Sequence, residues 1–164
     1  MADKSSRIVV VGLGNPLLTD DTIGLLIVKE FEQNYCRHYS NVKFVLNYSG
    51  GFDLMEELIG FDKTIIVDSI YTGQTEAGFC HEFSAKDMNR VNQSGLLNSH
   101  GLNLPALLDT GAKCGYSMPE DVILYGIEGR NFNDFSEEPS AAVKGGINTA
   151  IKKLQTQLNT WLNN

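Results

Sequence analysis

The chain has 164 residues, 42% of them hydrophobic, which fits one globular domain spanning residues 1–164. Its net charge is −7 and no Lys/Arg cluster occurs, so neither nucleic acid nor an anionic membrane surface is expected as a partner. No apolar run reaches membrane-spanning length and "MADKSSR" lacks the apolar core of a signal peptide, so a cytoplasmic protein is expected.

Ile8 to Val11 is a β-branched run ending at Gly12 and reads as a buried parallel strand. From about Asp21 to Tyr35, helical spacing places Ile23, Leu26, Ile27, Phe31 and Tyr35 on one face. Asp20 and Asp21 stand at that helix start, where carboxylates cap N–H groups and meet the positive end of the dipole. "VKFVLNYS" is a second strand, "GGFDLMEELIGF" a helix with Leu54, Met55 and Leu58 apolar, and "KTIIVDSI" a third strand whose core run Ile65–Val67 is broken by Asp68. "AGFCHEFSA" suits a short edge strand, with His81 on its surface like His38 before it. Residues 86–99 read as a polar loop, and "HGLNLPALLDTG" reads as a helix with Pro105 in its first turn. "DVILYGIEG" is the last strand, and "RNFNDFSEEPS" the loop best suited to mobility. "PSAAVKGGINTAIKKLQTQLNTWL" reads as one long amphipathic helix. Strands alternating with helices predict an α/β layered domain with a mostly parallel sheet. Cys36, Cys80 and Cys114 are far apart in sequence and are expected as free thiols.

"VVVGLGNPLLTDDTIG" begins like a phosphate-binding turn and ends in two carboxylates. Gly12 and Gly14 fit a dinucleotide fingerprint, but its third position is Leu17, Gly24 comes too late, and no P-loop lysine follows. Asp20 and Asp21 occupy the place of the pyrophosphate. A like-charge pair at ~4 Å costs about 4 kcal/mol at an effective dielectric of 20. A cation is therefore the better guest. Asp21 follows strand one at the carboxyl edge of the sheet, where open parallel sheets form their sites, and Asp68 reaches that edge on strand three. His100, placed at a helix start, is kept neutral by the dipole and able to bind a metal. Two carboxylates and an imidazole suit a divalent transition metal with open positions. Each also has a structural alternative: Asp20 or Asp21 as a helix cap, Asp68 bonding a loop, His100 as a structural histidine. Glu128, at the edge of the last strand, either borders the site or is solvated. No HExxH, GxSxG or recognisable cysteine nucleophile is present.

"GLGNPLLTDDTIG", "IIVDSI" and "NSHGLNLPALL", in this order, resemble the hydrogenase maturation endopeptidases over nearly the whole chain. The resemblance implies a three-layer α/β/α fold with a twisted, mostly parallel five-stranded sheet and one antiparallel edge strand. It also implies a cytoplasmic protease that acts on the large-subunit precursor of a nickel–iron hydrogenase. Asp21, Asp68 and His100 would be both the catalytic and the metal-contacting residues. They would read nickel already inserted in the precursor, so that the substrate supplies the metal and none is tightly held beforehand, before a short C-terminal extension is removed. A metal-polarised water or carbonyl and a carboxylate-activated water are both open routes to cleavage. Asp20 is left as a cap, and its replacement by Asn is expected to be mild.

Two departures stand out. Where many members have an Asp-Gly-x-Thr type segment after strand two, this chain has "LNYSGGFDL", with Ser49 near the Thr position, so Asn47–Ser49 bears on substrate choice or cleavage. "GIEG" replaces the more usual "GIEP". The competing readings are a small-molecule hydrolase with its own metal and a non-catalytic metal- or nucleotide-binding module.

Overall fold

A computed structural model describes residues 6–84, 87–88 and 103–163. One sheet contains β1 (Ile8–Leu13), β2 (Val42–Asn47), β3 (Lys63–Ile70), β4 (Cys80–Ser84) and β5 (Asp121–Glu128), in the order β2-β1-β3-β5-β4. β2, β1, β3 and β5 run parallel, and β4 closes one edge antiparallel to β5. The helices are α1 (Ile23–Tyr35), α2 (Gly51–Leu58), α3 (Leu104–Lys113), α4 (Ala141–Lys144) and α5 (Ile147–Leu162). A 3-10 turn, Thr19–Thr22, precedes α1.

Strand alternation divides the core. Ile8, Val10, Ile65 and Val67 pack with Ile27, Val28 and Phe31 of α1 and Leu154, Leu158 and Trp161 of α5. Val9, Val11, Leu13 and Ile66 pack on the other face with Leu54 and Leu58 of α2 and Leu104 of α3. This is the expected three-layer α/β/α arrangement, with its antiparallel strand at the expected edge. The buried stripe of α1 is shifted slightly from its predicted position: Leu25 and Val28 are buried, while Leu26 and Tyr35 are half-exposed.

Three expectations are corrected. The long C-terminal helix is two helices, α4 and α5, parted at Gly145 and Gly146. The chain there crosses the turn before β4 so closely that a Cβ on Gly146 would lie 2.1 Å from the Gly78 carbonyl oxygen. The segment 130–140, expected as a mobile loop, is tied to the β1–α1 turn. Thr19 N donates to Ser136 O at 3.0 Å and Ser136 N to Leu17 O at 3.0 Å. Finally, α3 starts at Leu104, with Asn103 as its cap accepting from Ala106 N at 3.1 Å and Pro105 in the first turn. His100 and the polar loop at 86–99 lie outside the described residues apart from 87 and 88. Among the described residues no helix is long and apolar enough to cross a membrane. Cys36, Cys80 and Cys114 are free, and burial pushes the Cys80 thiol up to about 11.

The path of the chain locates a crevice. From β1 it leads to β2 on one side of the sheet. From β3 it leads to β4 and β5 on the other side. The connections therefore diverge between β1 and β3, and ligands of open α/β sheets bind at the carboxyl end of such a divergence.

Candidate active site

Close packing, not phosphate binding, accounts for the glycines of the first turn. A Cβ on Gly24 would lie 2.3 Å from Val67 O and 2.4 Å from Leu13 O, and one on Gly14 would lie 2.1 Å from Asp21 O. Without side chains here, the start of α1 drops onto the carboxyl ends of β1 and β3 and carries Asp21 into the crevice. Asp21 is only 3% exposed. It accepts from Ser69 Oγ at 2.6 Å and from Asn15 N at 3.2 Å.

Asp68 is 4% exposed and accepts from Ser69 N at 2.8 Å. It interrupts the apolar run Ile65–Val67 while β3 continues to Ile70, as expected. The β1 ladder stops at Val67, but β5 continues alongside, pairing Asp68 with Gly126 and Ile70 with Glu128. Ser69 shares the α1 face with Ile65 and Val67, and Asp68 the opposite face with Ile66. The two acids thus stand at one edge of the sheet, as expected, and are joined through Ser69. Nothing in the composition or spacing singled out Ser69; its only signal is its place directly after Asp68. Among the described residues no three His, Cys, Asp or Glu side chains come together as a metal-binding group. The third expected ligand, His100, lies outside the described residues.

Asp20 is fully buried and does not cap α1, which has no side-chain cap. It faces the segment after β5 instead. Its Oδ2 accepts from Arg130 N and Asn131 N, both at 2.8 Å, and its Oδ1 from Ser140 N at 2.8 Å. Burial raises its carboxyl, but these main-chain donors outweigh that and hold it below the usual range. Thr19 beside it has φ of 29°, uncommon for a β-branched residue, and its hydroxyl donates to Asp134 O at 2.6 Å.

Glu128 is fully buried rather than solvated. It accepts from Thr72 N at 3.0 Å, Thr72 Oγ1 at 2.7 Å, Gly73 N at 2.9 Å and the Arg130 guanidinium. Burial pushes its carboxyl up, but the Thr72 hydroxyl, Arg130 and the main-chain donors pull it down to about 2. His81, expected on the surface, is also part of this cluster, with its side chain 16% exposed. Its Nε2 lies 3.1 Å from Glu128 Oε2 and 2.9 Å from Thr75 Oγ1. An ionised carboxylate only accepts, so Nε2 carries the proton. Acid and hydroxyl meet the same ring nitrogen, which rules out a relay from carboxylate through imidazole to a threonine nucleophile. The cluster fastens β4 and the turn after β3 to the end of β5.

The departing segment after β2 has its own order. Buried Asn47 accepts through Oδ1 from Ser49 N at 3.2 Å and Gly50 N at 2.7 Å, and its carbonyl accepts from Gly14 N at 3.2 Å. Gly50, at φ 66° and ψ −152°, occupies a conformation open essentially to glycine alone. Asn47 therefore fastens this turn to the one that carries Asp21.

Comparison with known proteins agrees with this architecture. Over 72 residues, 44% of this chain and 43% of the other, the sequence is 36% identical to the hydrogenase 2 maturation protease of Escherichia coli strain K12. The chain thus spans less than half the length of that relative. Over 155 residues, 94% of this chain and 75% of the other, it is 25% identical to the hydrogenase expression/formation protein HupD of Rhizobium leguminosarum bv. viciae. The fold is similar to that of the hydrogenase maturating endopeptidase HybD from E. coli, with a TM-score of 0.78 at 23% identity over 94% of this chain and 93% of that one. The family model for HycI, the hydrogenase maturation protease, matches residues 25–157, and the chain belongs to that family.

Proposed function

We propose that this protein is an endopeptidase that removes the C-terminal extension of a nickel-loaded hydrogenase large-subunit precursor. Asp21, Asp68 and His100 read the nickel of that substrate. The observation that carries the reading is the pair of buried carboxylates joined through Ser69 at the crevice, in a chain of the hydrogenase maturation protease family. Buried carboxylates are costly unless hydrogen-bonded or paired with a cation. Two carboxylates and an imidazole suit a divalent transition metal that keeps its other ligands from the precursor.

In the hydrolysis itself, the oxygen of water bonds to the scissile carbonyl carbon, the C–N bond breaks, and the departing nitrogen takes up a proton. Either a carboxylate of the pair or polarisation by the substrate's metal activates that water. The protein is expected to hold no metal tightly by itself. About one zinc or nickel per chain after chelator dialysis would favour a self-contained metallohydrolase.

The test is processing of purified precursor, with and without nickel, followed by the loss of mass of the extension. Wild-type protein should process only the nickel-loaded form. Asp21→Asn, Asp68→Asn and His100→Ala should each lower the rate by about 100-fold or more, as expected when positioning of the reacting groups is lost. Equal cleavage of nickel-free precursor, or full activity in His100→Ala, overturns the nickel role.

A further inference from the structure

A groove of about 360 Å³ lies beside the crevice, between α1 and the outer strand β2. Leu17, Leu25 and Leu26 form one wall, and Leu46 and Tyr48 form the other. Lys29 stands on α1 one turn beyond Leu25, about 6 Å along the helix. Among the described residues Lys29 has no ion-pair partner, although the chain as a whole is acidic. Glu137 also lines the groove, next to Ser136, which is bonded to Leu17. The groove is thus apolar in its middle, with a cation on the α1 side and a carboxylate beside the crevice turn. β2 has β1 on one side only, so its outward main-chain groups face away from the sheet. Half-exposed Leu26 and exposed Leu17 and Tyr48 leave its apolar walls open to solvent.

We infer that this groove takes an extended segment of the substrate polypeptide lying along β2, with an apolar side chain and an acidic one two residues apart. This rests on the proposed function, since it makes the groove the seat of chain flanking the scissile bond. The spacing follows from geometry. An extended chain advances about 6.6 Å in two residues and returns its side chains to the same face, matching the single helical turn from Leu25 to Lys29. The apolar side chain enters between Leu25 and Leu46, and the acidic one meets Lys29. Glu137 repels an acidic residue at the other end, which sets the direction of the segment. Main-chain bonding to an outer strand is a general mode of peptide recognition, in which alternate side chains give the specificity.

Two measurements test this. The first is NMR titration of the labelled protein with the peptide acetyl-Gly-Leu-Ser-Asp-Gly-amide. Shifts should concentrate at Leu17, Leu26, Lys29, Leu46 and Tyr48, and should be lost when the peptide's Leu becomes Ser or its Asp becomes Lys. The second is processing of nickel-loaded precursor by Lys29→Glu, a surface change. KM should rise about ten-fold with kcat unchanged, the effect of reversing an exposed charge pair. Reversing one acidic residue of the precursor to Lys should restore the lower KM. Shifts that are absent, scattered or indifferent to the peptide's sequence overturn the groove assignment. So does an unchanged KM in Lys29→Glu while wild type processes normally. If wild type processes no precursor yet binds the peptide here, the endopeptidase reading fails and the groove stands.

Discussion

The hydroxyl of Ser69 donates to Asp21 at 2.6 Å, and the same residue's main-chain N–H donates to Asp68 at 2.8 Å. One residue of β3 therefore orients both acids of the crevice, one through each of its donors. Ser69→Ala should keep the bond to Asp68 and loosen Asp21 alone. Because a buried hydrogen bond is lost, stability should fall by about 1–2 kcal/mol. Processing should fall further than that implies, by at least about ten-fold in kcat, because small misplacements of reacting groups are costly. Comparing kcat with the thermal melt separates the two. A normal kcat would make Ser69 a packing residue only.

Asp20→Asn should be damaging, against the expectation from a helix cap. Three main-chain N–H groups converge on the two oxygens of Asp20. An amide offers one oxygen and turns an NH2 against the remaining donor, so a loss of about 1–3 kcal/mol is expected. Hydrogen exchange of Arg130, Asn131 and Ser140 gives the local readout, and should be faster in the variant. Protection equal to wild type would remove Asp20 from this role.

Acid should unfold the protein partly through Glu128. Its carboxyl is held down to about 2 from an ordinary value of 4.5, so the folded state favours the ionised form. The stabilisation is complete above the unfolded value and is lost as pH falls toward the folded one. The window therefore runs from about pH 4.5 down to about 2. A shift of this size corresponds to roughly 3 kcal/mol. Asp20, also held low, adds to the loss in the same direction. Denaturant midpoints measured from pH 6 to pH 3 should fall steeply in wild type and more gently in Glu128→Gln. Parallel curves would show that Glu128 is not the group responsible.

Gly24→Ala should displace α1 from the crevice. The added methyl would sit 2.3 Å from Val67 O and 2.4 Å from Leu13 O, both main-chain atoms that cannot rotate away. Overpacking of this kind costs about 1–3 kcal/mol, and more where backbone must move. Processing should be lost along with stability, since Asp21 travels with the helix. A crystal structure of the variant with α1 unmoved would contradict the packing account.

The layered fold was legible in the sequence because periodicity reports burial directly. The runs Ile8–Val11 and Ile65–Val67 are apolar at every position, as strands covered on both faces must be, and α2 shows its inward Leu54, Met55 and Leu58 at helical spacing. The edge position of Asp21 and Asp68 was legible for the same reason, since each follows such a run. Partner choice was not. Asp20 looks like a cap from its neighbours, but its donors lie 110 to 120 residues away and become adjacent only when the segment after β5 folds back. Nor could spacing show that His81 lies against Glu128, because the antiparallel pairing of β4 with β5 sets that contact. The break between α4 and α5 escaped the pattern because the apolar period runs through Gly145 and Gly146. What stops the helix is the approach of Gly78, a contact between distant parts of the chain. Local periodicity determined which faces are buried; the tertiary structure decided which polar groups meet, because hydrogen-bond partners are set by distance in space and not by distance along the chain.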